Sequence, residues 1–399
     1  MKTYLKEKFE NYKLRREGTD LKMAFYDSIS MIPKKQWDDF SNQNIYLSYN
    51  YLSEIESAHC QSMDFRYILF YKEGKPVAKA MLQIIDFKFL ANLKNSESKR
   101  KKFLSNLLKE DSSLRIMICG SAFSNGENGF DYNSKVLSIE DAYSGLATGI
   151  YRTRRSDKIN GQTSVVLLKD FWPESKKEVT QFKKFDYRSF EIEPNMVIDI
   201  NNCWTSIDDY LKSLTSKYRS KAKSVFKKSK LLKMKNLEID DLKKHNERLA
   251  ELFQNVYSKS DFKLIKFESE SFIKLKVNLG EKLIVKGCFK EDLLVGFSFS
   301  ILNQGFLDFN YVGIDYEHNR DLAIYQRMMY DQISIAIVNK CSKLQLGRTA
   351  SEIKSSLGAI PLEMKILIRH RNSLSNKLIK PIVKSITAPD IIIRDPFKK

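Results

Sequence analysis

The chain has 399 residues, of which 42% are hydrophobic and 12% aromatic. This composition excludes a disordered chain and leaves room for two ordinary domains or one large one. Lysine and arginine total 68 against 49 acidic residues, a net charge of +19, which favours anionic partners such as nucleic acid, phosphorylated cofactors or an acidic membrane surface. A basic surface kept only for solubility is the alternative interpretation.

Cysteine usage and the amino terminus indicate a reducing compartment. The five cysteines are scattered and never stand in a Cys-x-x-Cys pair, which argues against a disulfide framework and a zinc site. The first twenty residues are charged throughout, without the apolar core of a secretory signal, and no apolar run approaches the ~18 to 20 residues of a membrane helix. We expect a cytoplasmic protein, with attachment to the inner face of a membrane left open. The four histidines show no metal-ligand spacing and suggest no Ser-His-Asp triad, so no metal site is expected.

In chain order, the first half begins with a predicted strand at 23–26 and two short amphipathic helices at 34–40 and 46–58. Two β-rich runs on either side of the turn at 72–76 then predict a hairpin. A charged insertion at about 94–112 follows. After it, the pattern predicts a third strand, a long helix and a fourth strand, at 114–119, 138–155 and 164–168.

The second half repeats this order. Tyr71-Lys72-Glu73 aligns with Phe289-Lys290-Glu291 at an offset of 218 residues, and Val77-Ala78 then falls on Val295-Gly296 without a gap. We therefore predict an α/β (α+β) chain with two tandem domains, each a mixed central sheet flanked by helices. The domains are predicted at 1–192 and 193–380, joined near 191–199, with a tail at 381–399. A single domain with one elaborate sheet leaves the repeated hairpin unexplained.

A basic segment opens the second half. Residues 212–235 carry ten basic side chains and no acidic one, and apolar residues at helical spacing predict a basic amphipathic helix within 206–230. Arg219 and Lys223 are candidate anion-binding residues on it. The segment is either a solvated face or a surface for the phosphates of a coenzyme, a tRNA acceptor stem or anionic lipid, and spacing does not choose among these.

The stretch at 305–361 predicts a strand, a long helix beginning near Leu322, a short strand, and a helix opened by a polar cluster. This order is typical of a βαβ unit with parallel strands and a right-handed crossover. Ligands of such sheets bind where the carboxyl end of a strand meets the next helix.

Two groups of residues at that place are candidates for chemistry. In Leu346–Lys354 of the sequence, Thr349 or Ser351 is a candidate helix cap, Arg348 and Lys354 are candidates for holding an anionic group, and Glu352 is a candidate general base. The alternative is a capping arrangement with a surface salt bridge. On the preceding strand, the polar residues Asn310 and Tyr311 interrupt an apolar run and either point into a cleft or are satisfied polar groups of the core.

A glycine-rich loop at 119–130 is a further candidate site. It follows a predicted strand and precedes a helix, and its three glycines allow a close approach of the backbone to a ligand at Gly120 and Ser121. It lacks the Gly-Lys-Ser/Thr of a Walker loop and a good dinucleotide fingerprint, so an ordinary long loop is the alternative.

Several of these segments together resemble a known family. The hairpins, Asn310-Tyr311-Val312-Gly313, LGRTASEIKSSLGA at 346–359, DDYLKSLTSKYRSKAKSVFKKSK at 208–230 and QWDDFSNQNIYLSYNYLSEIES at 36–57 resemble divergent GNAT-superfamily N-acyltransferases of the FemAB/FemX type. These proteins carry two GNAT-like domains, so the resemblance covers nearly the whole chain.

The resemblance implies transfer of an acyl or aminoacyl group to an amine acceptor, a small molecule or a peptide, from acyl-CoA or from aminoacyl-tRNA. It also implies that backbone amides after the fourth strand of a domain hold the pyrophosphate of coenzyme A. This sequence departs from that pattern, because residues 317–323, which include the anion-binding candidate Asn319, contain no glycine.

Two hypotheses follow. The first is a cytoplasmic N-acyltransferase in cell-envelope or lipid metabolism, in which Arg348 and Lys354 anchor an anionic group, Tyr311 protonates the leaving group or orients the substrate, and Glu352 is the base. The second is a non-catalytic GNAT-derived module that binds anionic lipid or nucleic acid through residues 212–235.

Overall fold

The computed structural model describes residues 19–39, 44–88, 113–156, 158–159, 161–259, 267–268, 270–377 and 392–398. The chain divides into two compact units, which hold the following segments: unit 1, Met1–Glu193 and Glu363–Ala388; unit 2, Pro194–Leu362 and Pro389–Lys399. The chain thus leaves unit 1 after Glu193 and returns to it at Glu363. The domain boundaries predicted from the sequence do not include this return to unit 1, because no change of composition marks it. The predicted insertion at 94–112 lies outside the described residues.

Unit 1 contains the first half of the chain and one late strand. Its strands are β1 (Lys22–Tyr26), β2 (Asp64–Lys72), β3 (Lys75–Lys88), β4 (Ser113–Cys119), β5 (Phe130–Tyr132), β6 (Val165–Phe171) and the larger part of β13 (Ile360–His370). Its helices are α1 (Lys34–Asp38), α2 (Tyr49–His59), α3 (Ile139–Arg155) and α4 (Lys176–Gln181). The strands run in the order β1-β2-β3-β4-β6-β13, with β5 beside β3. Strands β4 and β6, joined through α3, pair in parallel, while the other pairs are antiparallel.

Unit 2 repeats that plan. Strand β7 (Arg188–Asp199) crosses into it from unit 1, and β8 (Leu232–Asn236), β9 (Leu283–Lys290), β10 (Leu293–Asn303), β11 (Phe306–Ile314) and β12 (Lys343–Gln345) follow. Its helices are α5 (Ile207–Ser213), α6 (Ser216–Lys228), α7 (Ile239–Lys244), α8 (Asn246–Ser258), α9 (Ser271–Leu279), α10 (Tyr316–Leu322), α11 (Ile324–Val338) and α12 (Ser351–Ser355). The strand order is β8-β9-β10-β11-β12-β7, and again the two strands joined through a long helix, β11 and β12, are the parallel pair.

The predicted hairpins are confirmed in both units. Strands β2 and β3 are joined by Glu73 and Gly74, both with positive φ, and β9 and β10 by a turn in which Glu291 has φ 54°. Both hairpins also contain a register shift close to the turn, between Phe70 and Tyr71 and between Leu294 and Gly296. The alternation of apolar residues and the turn chemistry were therefore sufficient to place these elements.

The predicted basic helix is divided in the structure. Helix α5 ends at Ser213, and α6 begins at Ser216, because Leu214 is extended and forms a bridge with Phe397 while the amide of Thr215 donates to the carbonyl of Pro396 at 2.8 Å. Basic residues beyond Lys228 lie in a short turn and in β8 instead of a helix.

Each unit has its own core on the helix-covered side of its strands. In unit 1 the long helix α3 contributes Tyr143, Leu146 and Ile150, packed with residues of β2, β3 and β6. In unit 2 the long helix α11 contributes Met329 and Ile333, packed with residues of β7, β11 and the basic helix α6. The fold therefore presents the carboxyl ends of two parallel strand pairs, one in each unit.

Candidate functional site

Strand β11 carries the predicted site residues Asn310 and Tyr311. Its register with β10 shifts, since Phe299 pairs with Tyr311 and Ser300 pairs with Phe309, which leaves Asn310 as the extra residue of a β-bulge. Bulges re-aim side chains and are frequent next to active sites. Both Asn310 and Tyr311 are half-buried, so the bulge places two polar side chains at the border of the core.

Tyr311 belongs to an aromatic cluster. The centroid of its ring lies 4.6 Å from that of Phe267, 5.6 Å from that of Phe299 and 5.7 Å from that of Phe253, with the last ring perpendicular to it. Phe272 of α9 lies beyond these rings at 6.1 Å. Offset and edge-to-face contacts of this kind fix the plane of a ring. The ring of Tyr311 is therefore held in one orientation while its side chain stays partly accessible.

The segment after β12 turns through two left-handed residues, Gly347 (φ 76°) and Ala350 (φ 57°). The amide of Met196 donates to the carbonyl of Gly347 at 3.0 Å, which ties this turn to β7. Helix α12 begins after Ala350 without a side-chain cap, so the predicted capping by Thr349 or Ser351 is wrong.

The charged residues of this turn have different environments. Arg348 is half-buried, and Lys354 is almost fully buried at 3% exposure. Glu352 is exposed, and its Oε1 accepts a hydrogen bond from Nη2 of Arg394 at 2.6 Å. The predicted base is thus occupied by a salt bridge to the carboxyl-terminal segment, as the alternative interpretation expected.

That carboxyl-terminal segment packs on unit 2. The ring of Phe397 lies 5.8 Å from Trp204 and 6.2 Å from Tyr210, and it covers Gly358, where a Cβ would come within 2.3 Å of the ring. Its last amides pair with the α5–α6 junction, where Lys398 N donates to the carbonyl of Ser213. The residues 392–398 therefore hold the start of the basic helix.

On helix α6, Arg219 is half-buried and Lys223 is exposed. Arg219 lies four residues before Lys223, and Lys223 lies three residues before Phe226, so all three side chains lie on the same face of the helix. Phe226 packs 5.3 Å from Tyr330 and lies 5.1 Å below the guanidinium of Arg327, so this flank faces the first turns of α11. Lys217 and Lys221 lie on the opposite flank, over the ring of Tyr218.

The start of α11 is closed by the chain itself. Asn319, on α10, accepts a hydrogen bond at its Oδ1 from the amide of Tyr325 at 2.9 Å, and Ala323 between the two helices is left-handed at φ 50°. Asn319 therefore satisfies one of the free amides at the start of a helix, the groups that would otherwise bind an anion.

A buried ion pair that the sequence did not indicate fixes the end of β11. Asp315 accepts from Arg248 Nη2 at 2.6 Å, and Arg248 also donates to the carbonyl of Leu294. Burial by itself would raise the pKa of Asp315, but the hydrogen bond from Arg248 and the nearby ring of His318, with Nδ1 at 3.3 Å, hold it below its usual value. The two partners are 67 positions apart, so no local pattern could have paired them.

In unit 1, the glycine-rich loop is a compact excursion of the sheet. Strand β4 ends at Cys119, the chain loops out, and β5 resumes pairing with β3 after Gly129. The two ends of the loop touch, as in an Ω-loop. Ser121 is buried and accepts from the amide of Phe123, and Gly120 lies against Lys169, so the predicted anion-binding positions Gly120 and Ser121 are enclosed by protein.

The Gly129→Ala variant is expected to lose about 1–3 kcal/mol of unfolding free energy, the usual cost of overpacking. A Cβ on Gly129 would lie 2.2 Å from the backbone nitrogen of Gly120, which no side-chain rearrangement relieves. Denaturant unfolding measures the loss. Gly129 does not have positive φ, so backbone strain adds nothing to the loss, and wild-type stability in the variant would contradict the contact.

The structure brings eight of the ten predicted site residues into unit 2 and leaves Gly120 and Ser121 in unit 1. Strands β11 and β12 pair in parallel from Phe306 with Lys343 to Asp308 with Gln345. Asn310 and Tyr311 lie within β11 just beyond the last of these pairs, and Arg348 lies in the turn just beyond β12. Helix α6, which carries Arg219 and Lys223, packs on α11, the helix that connects β11 to β12 along the chain. Within the described ranges, no group of three His, Cys, Asp or Glu side chains could hold a metal ion. No helix among these residues is long and apolar enough to cross a membrane.

Comparison with known proteins gives a structural likeness without a sequence match. No family model matches the chain, and no curated protein matches it. The crystal structure of FemX covers 88% of this chain and 98% of its own, with 11% identity and a TM-score of 0.56. The structure of L-PGS from Bacillus licheniformis covers 88% and 97%, with 9% identity and a TM-score of 0.49. A tandem GNAT protein from the clavulanic acid biosynthesis pathway covers 88% and 99%, with 7% identity and a TM-score of 0.49.

This chain has the fold of the FemX structure. The predicted fold class, two tandem domains with mixed sheets, is confirmed. The resemblance described above implies a pyrophosphate cradle at residues 317–323, directly after β11. Here α10 and the Asn319 cap stand in that place.

The chain also buries polar residues that the sequence pattern did not indicate. Gln332 of α11 is fully buried, accepts from Ser300 Oγ at 2.6 Å and donates to Ser298 Oγ at 2.9 Å. Burial raises the pKa of the neighbouring Asp331, whose carboxylate lies 3.8 Å from Lys286. The adjacent Asp331 and Gln332 in an apolar helix were the signal that could have revealed these contacts.

Proposed function

We propose that this protein transfers an aminoacyl group from tRNA to an amine, using unit 2. The choice of donor rests on the amino-terminal end of α11, where the side chain of Asn319 already accepts a hydrogen bond from the amide of Tyr325. A donor with a pyrophosphate that relies on this helix start would have to displace the cap. A tRNA acceptor stem needs instead a row of cations along its phosphates, which α6 supplies beside α11.

The charge of α6 supports a polyanionic donor. Lys217, Lys221, Lys223, Lys227 and Lys228 are exposed, and none of them forms an ion pair with an acidic side chain in the part of the chain that the structure describes. Uncompensated cations on one helix attract phosphates and make binding sensitive to salt. A basic face that only contacts solvent would be equally exposed. A specific tRNA site differs from it because binding would depend on one flank of α6 and not on the other.

The proposed chemistry uses the bulge region. The acceptor amine attacks the carbonyl carbon of the aminoacyl ester, the bond from that carbon to the ribose oxygen breaks, and the ribose oxygen takes a proton from the hydroxyl of Tyr311. The amine nitrogen, positively charged once the new bond has formed, loses its proton to water, because Glu352 is held by Arg394, and Tyr311 regains its proton from the solvent. Arg348 serves to anchor an anionic group of the substrates, whereas Lys354, at 3% exposure, is too buried to share this role.

The test compares binding of aminoacyl-tRNA and acyl-CoA by thermal stabilisation of the folded protein. Aminoacyl-tRNA is expected to raise the melting temperature, and the Arg219→Glu/Lys223→Glu variant to lower the slope of log affinity against log salt by about two, one for each phosphate contact. Lys217→Glu/Lys221→Glu, on the opposite flank, is the matched control.

Two outcomes decide against this donor. Stabilisation by acyl-CoA alone would assign the donor to the coenzyme, and an equal loss in both double variants would reduce α6 to a non-specific basic surface. The non-catalytic alternative, binding of nucleic acid or anionic lipid through 212–235, would be favoured if aminoacyl-tRNA bound without any transfer to a supplied amine.

A further inference from the structure

The turn that ends the basic helix exposes a leucine among lysines. Leu231 closes a short 3-10 turn between α6 and β8 and is 69% exposed. Lys228 and Lys230 precede it and Lys233 follows, and all three are exposed. A large apolar side chain at a loop tip gains nothing from the fold and marks an interaction surface when it does not stand alone.

A second exposed leucine lies at the same end of the strands. Leu232, next to Leu231, pairs with Lys290 of β9, and Lys290 pairs in turn with Leu293 of β10, which is 47% exposed. Adjacent strands are about 4.8 Å apart, so the two leucines belong to one small tip. We call this tip, formed by Leu231, Leu293 and the surrounding lysines, the leucine–lysine tip.

The charge around the tip is predominantly positive. Lys227, Lys228, Lys230, Lys233 and Lys290 lie within four residues of Leu231 or Leu293 along the chain, against two acidic residues of the β9–β10 turn, Glu291 and Asp292. Five cations around two apolar side chains match the two properties of an anionic bilayer surface, negative headgroups above a hydrocarbon layer. A nucleic acid would match the lysines and leave both leucines in water.

We propose that the leucine–lysine tip docks this protein on the surface of an anionic membrane, with Leu231 inserted among the acyl chains. The lysines then contact the lipid headgroups, and the flank of α6 with Arg219 and Lys223 stays free for another anion. The site is separate from the bulge at Asn310 and does not depend on the proposed transfer reaction.

Sedimentation of the full chain with vesicles tests the proposal. Binding is expected to vesicles of equimolar phosphatidylglycerol and phosphatidylcholine and not to phosphatidylcholine alone. Leu231→Ala is expected to weaken this binding about tenfold, since insertion of a leucine side chain is worth at least one factor of ten. Lys230→Gln and Lys233→Gln are each expected to weaken it about fivefold.

Val277→Ala is the matched control, because Val277 is an equally accessible apolar residue of unit 2 at 58% exposure. It is expected to bind vesicles like the wild type, and Leu231→Ala to keep the wild-type melting temperature and affinity for aminoacyl-tRNA. The proposal is overturned if the wild type does not sediment with anionic vesicles. It is also overturned if Leu231→Ala binds them as well as the wild type, which would reduce the contact to electrostatic adsorption.

Discussion

Replacing Tyr311 with phenylalanine is expected to slow aminoacyl transfer by about 10²–10⁴-fold, the usual contribution of a positioned proton donor. The substitution removes only the hydroxyl, so the ring contacts with Phe253, Phe267 and Phe299 persist. The variant should therefore fold with wild-type stability and bind the donor normally. Single-turnover transfer from aminoacyl-tRNA to a supplied amine measures the loss.

The aromatic cluster supplies a matched control. Tyr257 of α8 stacks obliquely on Phe253 at 6.2 Å, and Tyr257→Phe removes a hydroxyl from the same cluster without touching β11. Its transfer rate should equal that of the wild type. A loss of rate that came with lowered stability in Tyr311→Phe, or a full rate in that variant, would remove Tyr311 from the chemistry and leave it as a packing residue.

The strands and long helices followed from local patterns because their determinants are local. The hairpin turns at Glu73-Gly74 and Glu291 need left-handed backbone at a fixed offset from two apolar runs, and that information lies within about twenty residues. The helices α3 and α11 have the apolar stripe of helices packed on a sheet. Parallel pairing of the strands on either side then follows from the length of each connection.

The exchange of strands between the units had no local determinant. The continuous strand Arg188–Asp199 begins in unit 1 and ends in unit 2, and Ile360–His370 runs the other way. The break between α5 and α6 has the same origin, because Leu214 adopts an extended backbone to pair with Phe397, 183 positions later in a segment whose sequence gives no sign of it.

The candidate site was predictable in its position and less so in its chemistry. The sequence placed Asn310 and Tyr311 on a strand and Arg348 in the turn after the next strand; the structure has Asn310 and Tyr311 inside β11 and Arg348 after β12, while their functional role stays a prediction. The sequence could not show that Glu352 forms a salt bridge with Arg394 or that Asn319 accepts a hydrogen bond from the amide of Tyr325. Both contacts depend on which polar groups come close to these side chains after folding.

Both units depart from the glycine cradle for a pyrophosphate that the resemblance implies. In unit 2 the short helix α10 and Asn319 fill the place after the fourth strand, and in unit 1 the Ω-loop fills it with Ser121 and Phe123 buried. Neither place is an open glycine cradle, and the reasons differ, because one is a capped helix start and the other is a packed loop. Under the proposed function, the cations for the phosphates of the donor therefore come from α6, which the sequence marks by charge alone.

Glu127, in that Ω-loop, is expected to make the stability of the protein depend on pH between about 4.5 and 7. Burial raises the pKa of its carboxyl from 4.5 to about 7, although hydrogen bonds from Ser175 and from the amide of Trp172 oppose this rise. Between those values the folded protein holds a proton that the unfolded chain has released. The free energy of unfolding therefore falls as pH rises, by about 1.4 kcal/mol for each pH unit and about 3 kcal/mol in all.

His59 titrates in the opposite direction and masks this effect in the wild type. Burial lowers its pKa from 6.5 to about 4, so between these values the unfolded chain holds the proton, and stability rises with pH. The contribution of Glu127 is isolated only by comparison with Glu127→Gln, in which His59 is unchanged. The amide of glutamine still offers an oxygen to Trp172 and Ser175 but does not titrate.

The expected result is a difference curve. Denaturant unfolding across pH about 4.5 to 8 should give Glu127→Gln and the wild type similar stabilities at the acidic end, with the variant gaining up to about 3 kcal/mol by neutral pH. A constant difference between Glu127→Gln and the wild type would mean that the carboxyl of Glu127 stays ionised in the folded loop, and that water or Ser175 compensates its burial completely.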